Sequence, residues 1–192
     1  SNGRLTRYPG WQRVFEIRVI YRDARDRIWI GTDGDGLFRF ENGRFTTYGT
    51  QDGLASNHIR AIHMDRQGAL WIATVGEGIT RYADGRFTTY TTKDGLASNR
   101  VLAIHEDEDG SLWFATREGL SRLKEERFFT FRAESGLRES FVYTILDDGR
   151  GNLWFSCASG VFRVSKAELK DFAEGKIKKI TSADYGVREG MK

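Results

Sequence analysis

An all-β fold made of repeated four-stranded units is what this sequence predicts, on three observations. Tryptophans recur at Trp29, Trp71, Trp113 and Trp154, stepping by 42, 42 and 41 residues. Glycines of a Gly-Leu loop keep the same rhythm at Gly53, Gly95 and Gly136. Between these markers lie short runs rich in Trp, Phe, Tyr, Thr and Ile, broken by turn dipeptides, which is the composition of pleated, half-buried strands. A period in the low forties holding four short strands is the signature of a β-propeller blade. One array of blades therefore accounts for the 192 residues, which by length alone could be one domain or two.

The second unit shows the elements in order. An inner strand runs from His58 to Asp65 and turns at Gln67-Gly68. The second strand, Leu70 to Thr74, is apolar on both faces, as a strand covered by neighbouring blades can be. A turn through Gly76 and Gly78 leads to a third strand, Ile79 to Tyr82. Asp84-Gly85 then makes a hairpin into the outer strand, Arg86 to Tyr90, as Asn42-Gly43 does one unit earlier. Both dipeptides suit a two-residue loop with positive φ. Lys93 to Asn99 leads on to the next blade. Asp109-Gly110 and Arg150-Gly151 join inner to second strands in the later units.

The units differ in places. The third and fourth are one residue shorter after the second strand, reading Thr116-Arg117-Glu118-Gly119 and Cys157-Ala158-Ser159-Gly160. The third has Glu125-Glu126 where others have a hairpin glycine. In the fourth, Ser165-Lys166-Ala167-Glu168 matches a capping box, and Leu169, Phe172 and Gly175 complete a helix placed on the outer rim. Lys176 to Ile180 then reads as the outer strand. The organisation expected is an orphan outer strand over 1–10, blades over 11–53, 54–95, 96–136 and 137–192, and a helical insertion over 165–174. The tryptophans are expected between blades. The terminal faces, expected to carry Ile17, Val19, Trp29, Val142, Ile145 and Trp154, are expected to pair in a two-fold homodimer, with closure into a four-bladed ring as the alternative.

Charge is nearly balanced, with 30 basic and 27 acidic residues, so nothing argues for a nucleic-acid partner. No apolar run approaches the ~20 residues needed to cross a bilayer. Cys157 is alone, which excludes an internal disulfide framework and fits a small core residue.

The cassette resembles the two-component regulator propeller repeat of bacterial sensor proteins. The resemblance rests on Gly95-Leu96-Ala97-Ser98-Asn99, on Asp109-Gly110-Ser111-Leu112-Trp113-Phe114-Ala115-Thr116 and on Gly119-Leu120-Ser121-Arg122-Leu123, with matching copies along the whole chain. It implies a non-catalytic, extracytoplasmic, periplasmic sensor propeller. The parent receptor would reach the membrane and a histidine kinase or diguanylate cyclase through other parts. The ligands it implies are polysaccharide fragments.

Among candidate chemistries, Gly34-Asp35-Gly36 and Gly76-Glu77-Gly78 sit in strand turns with no following helix to cradle phosphate. His63 and His105 occupy equivalent inner-strand positions, but Tyr21 and Leu146 fill the other two, which is no ligand set for a metal. Neither a metal nor another cofactor is expected. Carboxylates such as Asp107, Asp109, Asp147 and Asp148 fall at inner-to-second turns, which Asp shapes. The loop face carries the candidate ligand contacts Asp33, Asp35, His58, Arg60, Glu77, Arg100, Arg117, Glu118, Arg138, Glu139 and Ser159. Arginines and carboxylates around a funnel suit a polar or anionic small molecule such as an oligosaccharide. A scaffold for protein partners and a propeller lyase or hydrolase are the alternatives.

Overall fold

The computed structural model describes residues 16–186. The orphan strand expected over 1–10 lies outside them. Four antiparallel four-stranded sheets follow one another in chain order. The first holds β1 (Ile17–Arg22), β2 (Ile28–Thr32), β3 (Leu37–Glu41) and β4 (Arg44–Tyr48). The second holds β5 (Ile59–Met64), β6 (Leu70–Thr74), β7 (Ile79–Ala83) and β8 (Arg86–Tyr90). The third holds β9 (Val101–Glu106), β10 (Leu112–Thr116), β11 (Gly119–Lys124) and β12 (Arg127–Phe131). The fourth holds β13 (Thr144–Asp147), β14 (Asn152–Cys157), β15 (Gly160–Ser165) and β16 (Ala183–Gly186), with α1 (Lys166–Ala173) between the last two strands. Register reproduces the repeat: Tyr21, His63, His105 and Leu146 each lie opposite the tryptophan of their blade.

An aspartate at the end of the inner strand organises one end of every blade. The Asp65 carboxylate accepts the amides of Gln67 at 3.0 Å and Ala69 at 2.8 Å, and the Trp71 indole N–H at 2.7 Å. Asp23 and Asp148 repeat this with Trp29 at 2.8 Å and Trp154 at 3.0 Å. Asp107 holds Trp113 more loosely, at 3.4 Å. Arg39, Arg81, Arg122 and Arg163 of the third strands stack on these indoles. The turn carboxylates are thus bound up in the architecture.

Three apolar clusters join first blade to second, second to third, and third to fourth. In each, the tryptophan face of one blade meets the inner strand of the next. Trp29, Trp71 and Trp113 are buried there as expected. Trp154 is only half-buried, because no fifth blade among the described residues covers it. Val142, expected on an exposed terminal face, is fully buried against its own neighbours, and so is Trp29, for which the inter-blade expectation holds and the terminal-face one does not. The exposed positions are Ile17 at 43%, Ile20 at 63% and Leu146 at 65%.

Three expectations for the fourth blade are corrected. Lys176 to Ile180 is not the outer strand. That segment crosses toward the third blade, where the Ile180 amide donates to the Ser135 carbonyl at 2.8 Å and the side chain is buried. The outer strand is β16, and its Tyr185 stacks on Trp154 as Tyr48 does on Trp29 and Tyr90 on Trp71. The helix forms, but the capping box does not. Ser165 makes no side-chain cap bond, and the Glu168 carboxylate accepts the Thr181 amide at 3.1 Å instead. Nor does the helix ride the outer rim. Leu169 and Phe172 pack with Trp113 and Phe131 of the third blade, and Lys166 bridges Asp107 and Asp147 at 2.8 and 2.6 Å. The insertion therefore fastens the last two blades together.

Candidate functional site

The opposite end of the array is built by turns whose closure is uniform and whose tips vary. Thr32, Thr74 and Thr116 hydroxyls donate to the carbonyls of Gly36, Gly78 and Gly119 at 2.8–2.9 Å. Gly78 has φ +86 and packs so closely that a Cβ there would sit 2.2 Å from the Tyr90 carbonyl oxygen. Asn57 and Asn99 accept the Thr50 and Thr92 amides across the outer-to-inner loops. Asp33 bridges to His58, and Val75 to Arg100, so each turn lies beside the inner strand of the next blade.

Inner strands β1, β5 and β9 carry a register break near this end, and the extra residues are Arg18, Arg60 and Leu102. A bulge re-aims the side chain it leaves unpaired, and all three line a funnel of about 270 Å³. Tyr143 holds the corresponding place in the fourth unit and is exposed. Asp33, Val75, Arg100, Arg117 and Phe141 complete the rim, above an apolar base that includes the buried Ile59 and Val101.

Charge is unevenly settled around this rim. Arg18 pairs with Asp33 at 2.5 Å and with Glu16 at 2.8 Å. His58 Nδ1 also reaches Asp33, at 2.5 Å. These contacts, His58 first and Arg18 second, hold the Asp33 carboxyl below the ordinary carboxylate range. Arg60, Arg100 and Arg117 are exposed and have no carboxylate partner within salt-bridge distance among the described residues. Arg117 lies over the Phe141 ring at 5.3 Å, and Phe141 packs on Tyr143 at 4.6 Å between centroids.

Of the residues proposed from sequence, Asp33, Arg60, Arg100 and Arg117 line the funnel, and His58 touches it through Asp33. The others do not. Arg138 is paired with Asp184 at 2.5 Å, and Ser159 donates to Glu139 at 2.9 Å. Glu118 accepts from Ser98, and the Asp35 amide is held by Thr32. Glu77 stands on an exposed turn outside the lining. Arg18 and Phe141, which line the funnel, were missed, although the step of 42 from Arg18 to Arg60 marks an equivalent position.

At the far end, His63 Nε2 lies 3.3 Å from Glu106, and His105 Nε2 lies 3.8 Å from Asp147. Burial lowers the His105 pKa, against the pull of Asp147. No three His, Cys, Asp or Glu side chains among the described residues form a metal-holding group. No helix among them is long and apolar enough to cross a membrane.

Comparison with known proteins places this architecture. The extracellular domain of a putative hybrid two component system of B. thetaiotaomicron, BT3049, superposes with a TM-score of 0.77 at 26% identity, covering 92% of this chain and 24% of that one. That of BT4673 from the same organism gives 0.68 at 27%, covering 80% and 24%. The chain thus spans about a quarter of the length of these relatives. Virginiamycin B lyase from Staphylococcus aureus matches at 0.68 and 16% identity over 91% of this chain and 57% of that one, a likeness of fold alone. No curated protein sequence gives a significant match. A family model described as "Two component regulator propeller" matches residues 16–34, 53–76, 95–118 and 136–159, one segment per blade. The chain is therefore an array of two component regulator propeller repeats, homologous to the extracellular domains of hybrid two-component systems.

Proposed function

We propose that this propeller is the ligand-sensing module of a periplasmic receptor of the two-component or cyclic-di-GMP type. It is not itself catalytic, and it binds a polar ligand such as an oligosaccharide in the loop-face funnel. The observation that carries this reading is the rim itself: Arg60, Arg100 and Arg117 without carboxylate partners among the described residues, together with Phe141, over an apolar base. A concave, mainly apolar site with a few convergent polar groups is the usual form of a small-molecule site. Output belongs to other parts of the parent protein.

The terminal faces belong to the same proposal. Ile17 and Ile20 correspond by the repeat to Ile59 and Ile62, which are 1% and 7% exposed inside the array. Their exposure on the first blade, and that of Leu146 beside Trp154 on the last, leaves a complementary pair of surfaces. In the isolated chain these pair between two copies, first blade to last blade.

Amide shift perturbation with a panel of oligosaccharides tests the sensing reading. The expected result is shifts clustered at Arg60, Arg100, Arg117 and Phe141. Binding that perturbs only the Asp–Trp end, or a panel with no binder, would overturn it.

A further inference from the structure

We infer that the funnel is selective for an anion, specifically the carboxylate of a sugar acid whose ring lies against Phe141. This deepens the sensing reading and rests on it. Charge at the rim is the first ground. Arg18 is paired with Glu16 and Asp33, and His58 takes up the other Asp33 oxygen, whereas Arg60, Arg100 and Arg117 line the same funnel with no carboxylate of the described residues within salt-bridge distance. Like charges gathered in a cleft repel one another, and a bound anion relieves that repulsion while gaining charge-assisted hydrogen bonds. Guanidinium groups suit the task, because their planar fork matches a carboxylate in a bidentate way.

The second ground is the asymmetry of the walls. Along the bulge positions the residues run Arg18, Arg60, Leu102, Tyr143, and just before them His58, Arg100 and Phe141. The second and third blades thus supply charge and the fourth supplies the Phe141 ring, on which Tyr143 packs. A bare inorganic ion would use the first wall and leave the second idle. A ring with one charged substituent uses both, since a sugar ring has an apolar face that packs on an aromatic one. The volume of about 270 Å³ falls just below the ~300–1,000 Å³ of drug-sized sites. One sugar residue is seated, and any longer chain leaves through the open mouth.

Titration calorimetry with matched sugars decides it. D-galacturonate and D-glucuronate are compared with D-galactose and D-glucose, which differ at the carboxylate carbon alone, and with sodium sulfate. The variants are Arg60→Gln/Arg100→Gln and Arg60→Lys/Arg100→Lys. Both positions are exposed, so the fold is expected to survive, which an unchanged urea midpoint confirms. At least one uronate is expected to bind tenfold or more tightly than its neutral partner, with affinity falling as salt rises. The glutamine pair should bring that uronate to the level of the neutral sugar, and the lysine pair should retain part of the difference. Uronates no better than neutral sugars, or uronate binding untouched by the glutamine pair, would overturn the anion inference while leaving the sensing reading standing. Sulfate binding as tightly as the uronates would overturn the sugar-acid class. Failure of every sugar, charged or neutral, to perturb the funnel amides would remove the sensing reading as well.

Discussion

Replacing Asp65 by alanine should be among the most damaging single changes outside the apolar core. The carboxylate accepts three N–H groups, from Gln67, Ala69 and the Trp71 indole, at 2.7–3.0 Å. The Gln67 amide is exposed, so water replaces its partner at little cost. Ala69 and Trp71 are 1% and 3% exposed, and their donors have no such recourse. A buried donor left unsatisfied costs about 1–3 kcal/mol, and bonds to a charged acceptor lie in the upper part of that range. Asp65→Ala should therefore lose about 3–4 kcal/mol. Trp71→Phe leaves Asp65 its two backbone partners but removes part of the contact with Tyr90 and Phe114, and should lose about 2 kcal/mol. Combining the two removes donor and acceptor together, so the double variant should fall short of the sum by about 1 kcal/mol or more. Urea unfolding at neutral pH measures all three, with m-values compared to confirm the two-state assumption. A loss below about 1 kcal/mol for Asp65→Ala, or strict additivity in the cycle, would refute the claim that this carboxylate organises the blade.

Four further outcomes follow from single observations. The third hairpin keeps the geometry of its equivalents with Glu125 at φ 49 and Glu126 at φ 60, so Glu126→Gly should raise stability by about 0.5–1 kcal/mol in urea melts. Cys157 stands where the earlier blades have threonine, with Sγ 3.4 Å from the Gly160 carbonyl oxygen, and Cys157→Thr should add about 0.5–1 kcal/mol by restoring the shorter bond. Stability should fall on acidification. His105 is lowered by burial, while Asp23 and Asp147 are held down by their hydrogen bonds despite burial; groups depressed in the fold stabilise it above their unfolded pKa and lose that contribution as pH falls. The urea midpoint should thus begin to drop below about pH 6.5 and fall further below about pH 4; a flat profile from pH 7 to 3 would contradict this. Light scattering at tens of micromolar should give the mass of two chains, and Ile20→Glu/Leu146→Glu should give one; a single-chain mass for the unaltered protein would reject the pairing.

What could be read in the sequence is what the repeat enforces. The tryptophan step fixed the blades, and the dipeptides Asn42-Gly43 and Asp84-Gly85 fixed the hairpins, where φ at Asn42 and Asp84 is indeed positive. The misreadings arose where local pattern and tertiary demand diverge. Lys176 to Ile180 alternates like a strand, but Ile180 is drawn into the core of the third blade, and Tyr185 takes the place on Trp154 that defines an outer strand. Ser165 to Glu168 has the spacing of a capping box, yet the returning chain brings the Thr181 amide to Glu168. At the candidate site, Arg60 and Arg100 were legible as basic residues entering inner strands. Arg18 was not, because a bulge leaves no mark in the alternation of apolar and polar residues.

That bulge also explains how a rigid repeat can carry a variable site. At Ile17, Ile59, Val101 and Val142 the chain keeps an aliphatic side chain, and the three internal copies are buried at 0–1% exposure. The bulge residue of the first three units, Arg18, Arg60 or Leu102, is turned out of the blade packing that holds its neighbour, and Tyr143 stands exposed at the corresponding place of the fourth. The identity of the residue at this place therefore costs the fold little, and it ranges here from guanidinium to aliphatic to phenol. The same holds two residues earlier, where Glu16, His58, Arg100 and Phe141 share a position. At the opposite end, every blade spends an aspartate, a tryptophan and a stacked arginine on holding itself together, and those residues do not vary. Stability is thus concentrated at one end of the array. Freedom to change is concentrated at the other, and the blade-to-blade differences in charge and aromaticity fall where a ligand can meet them.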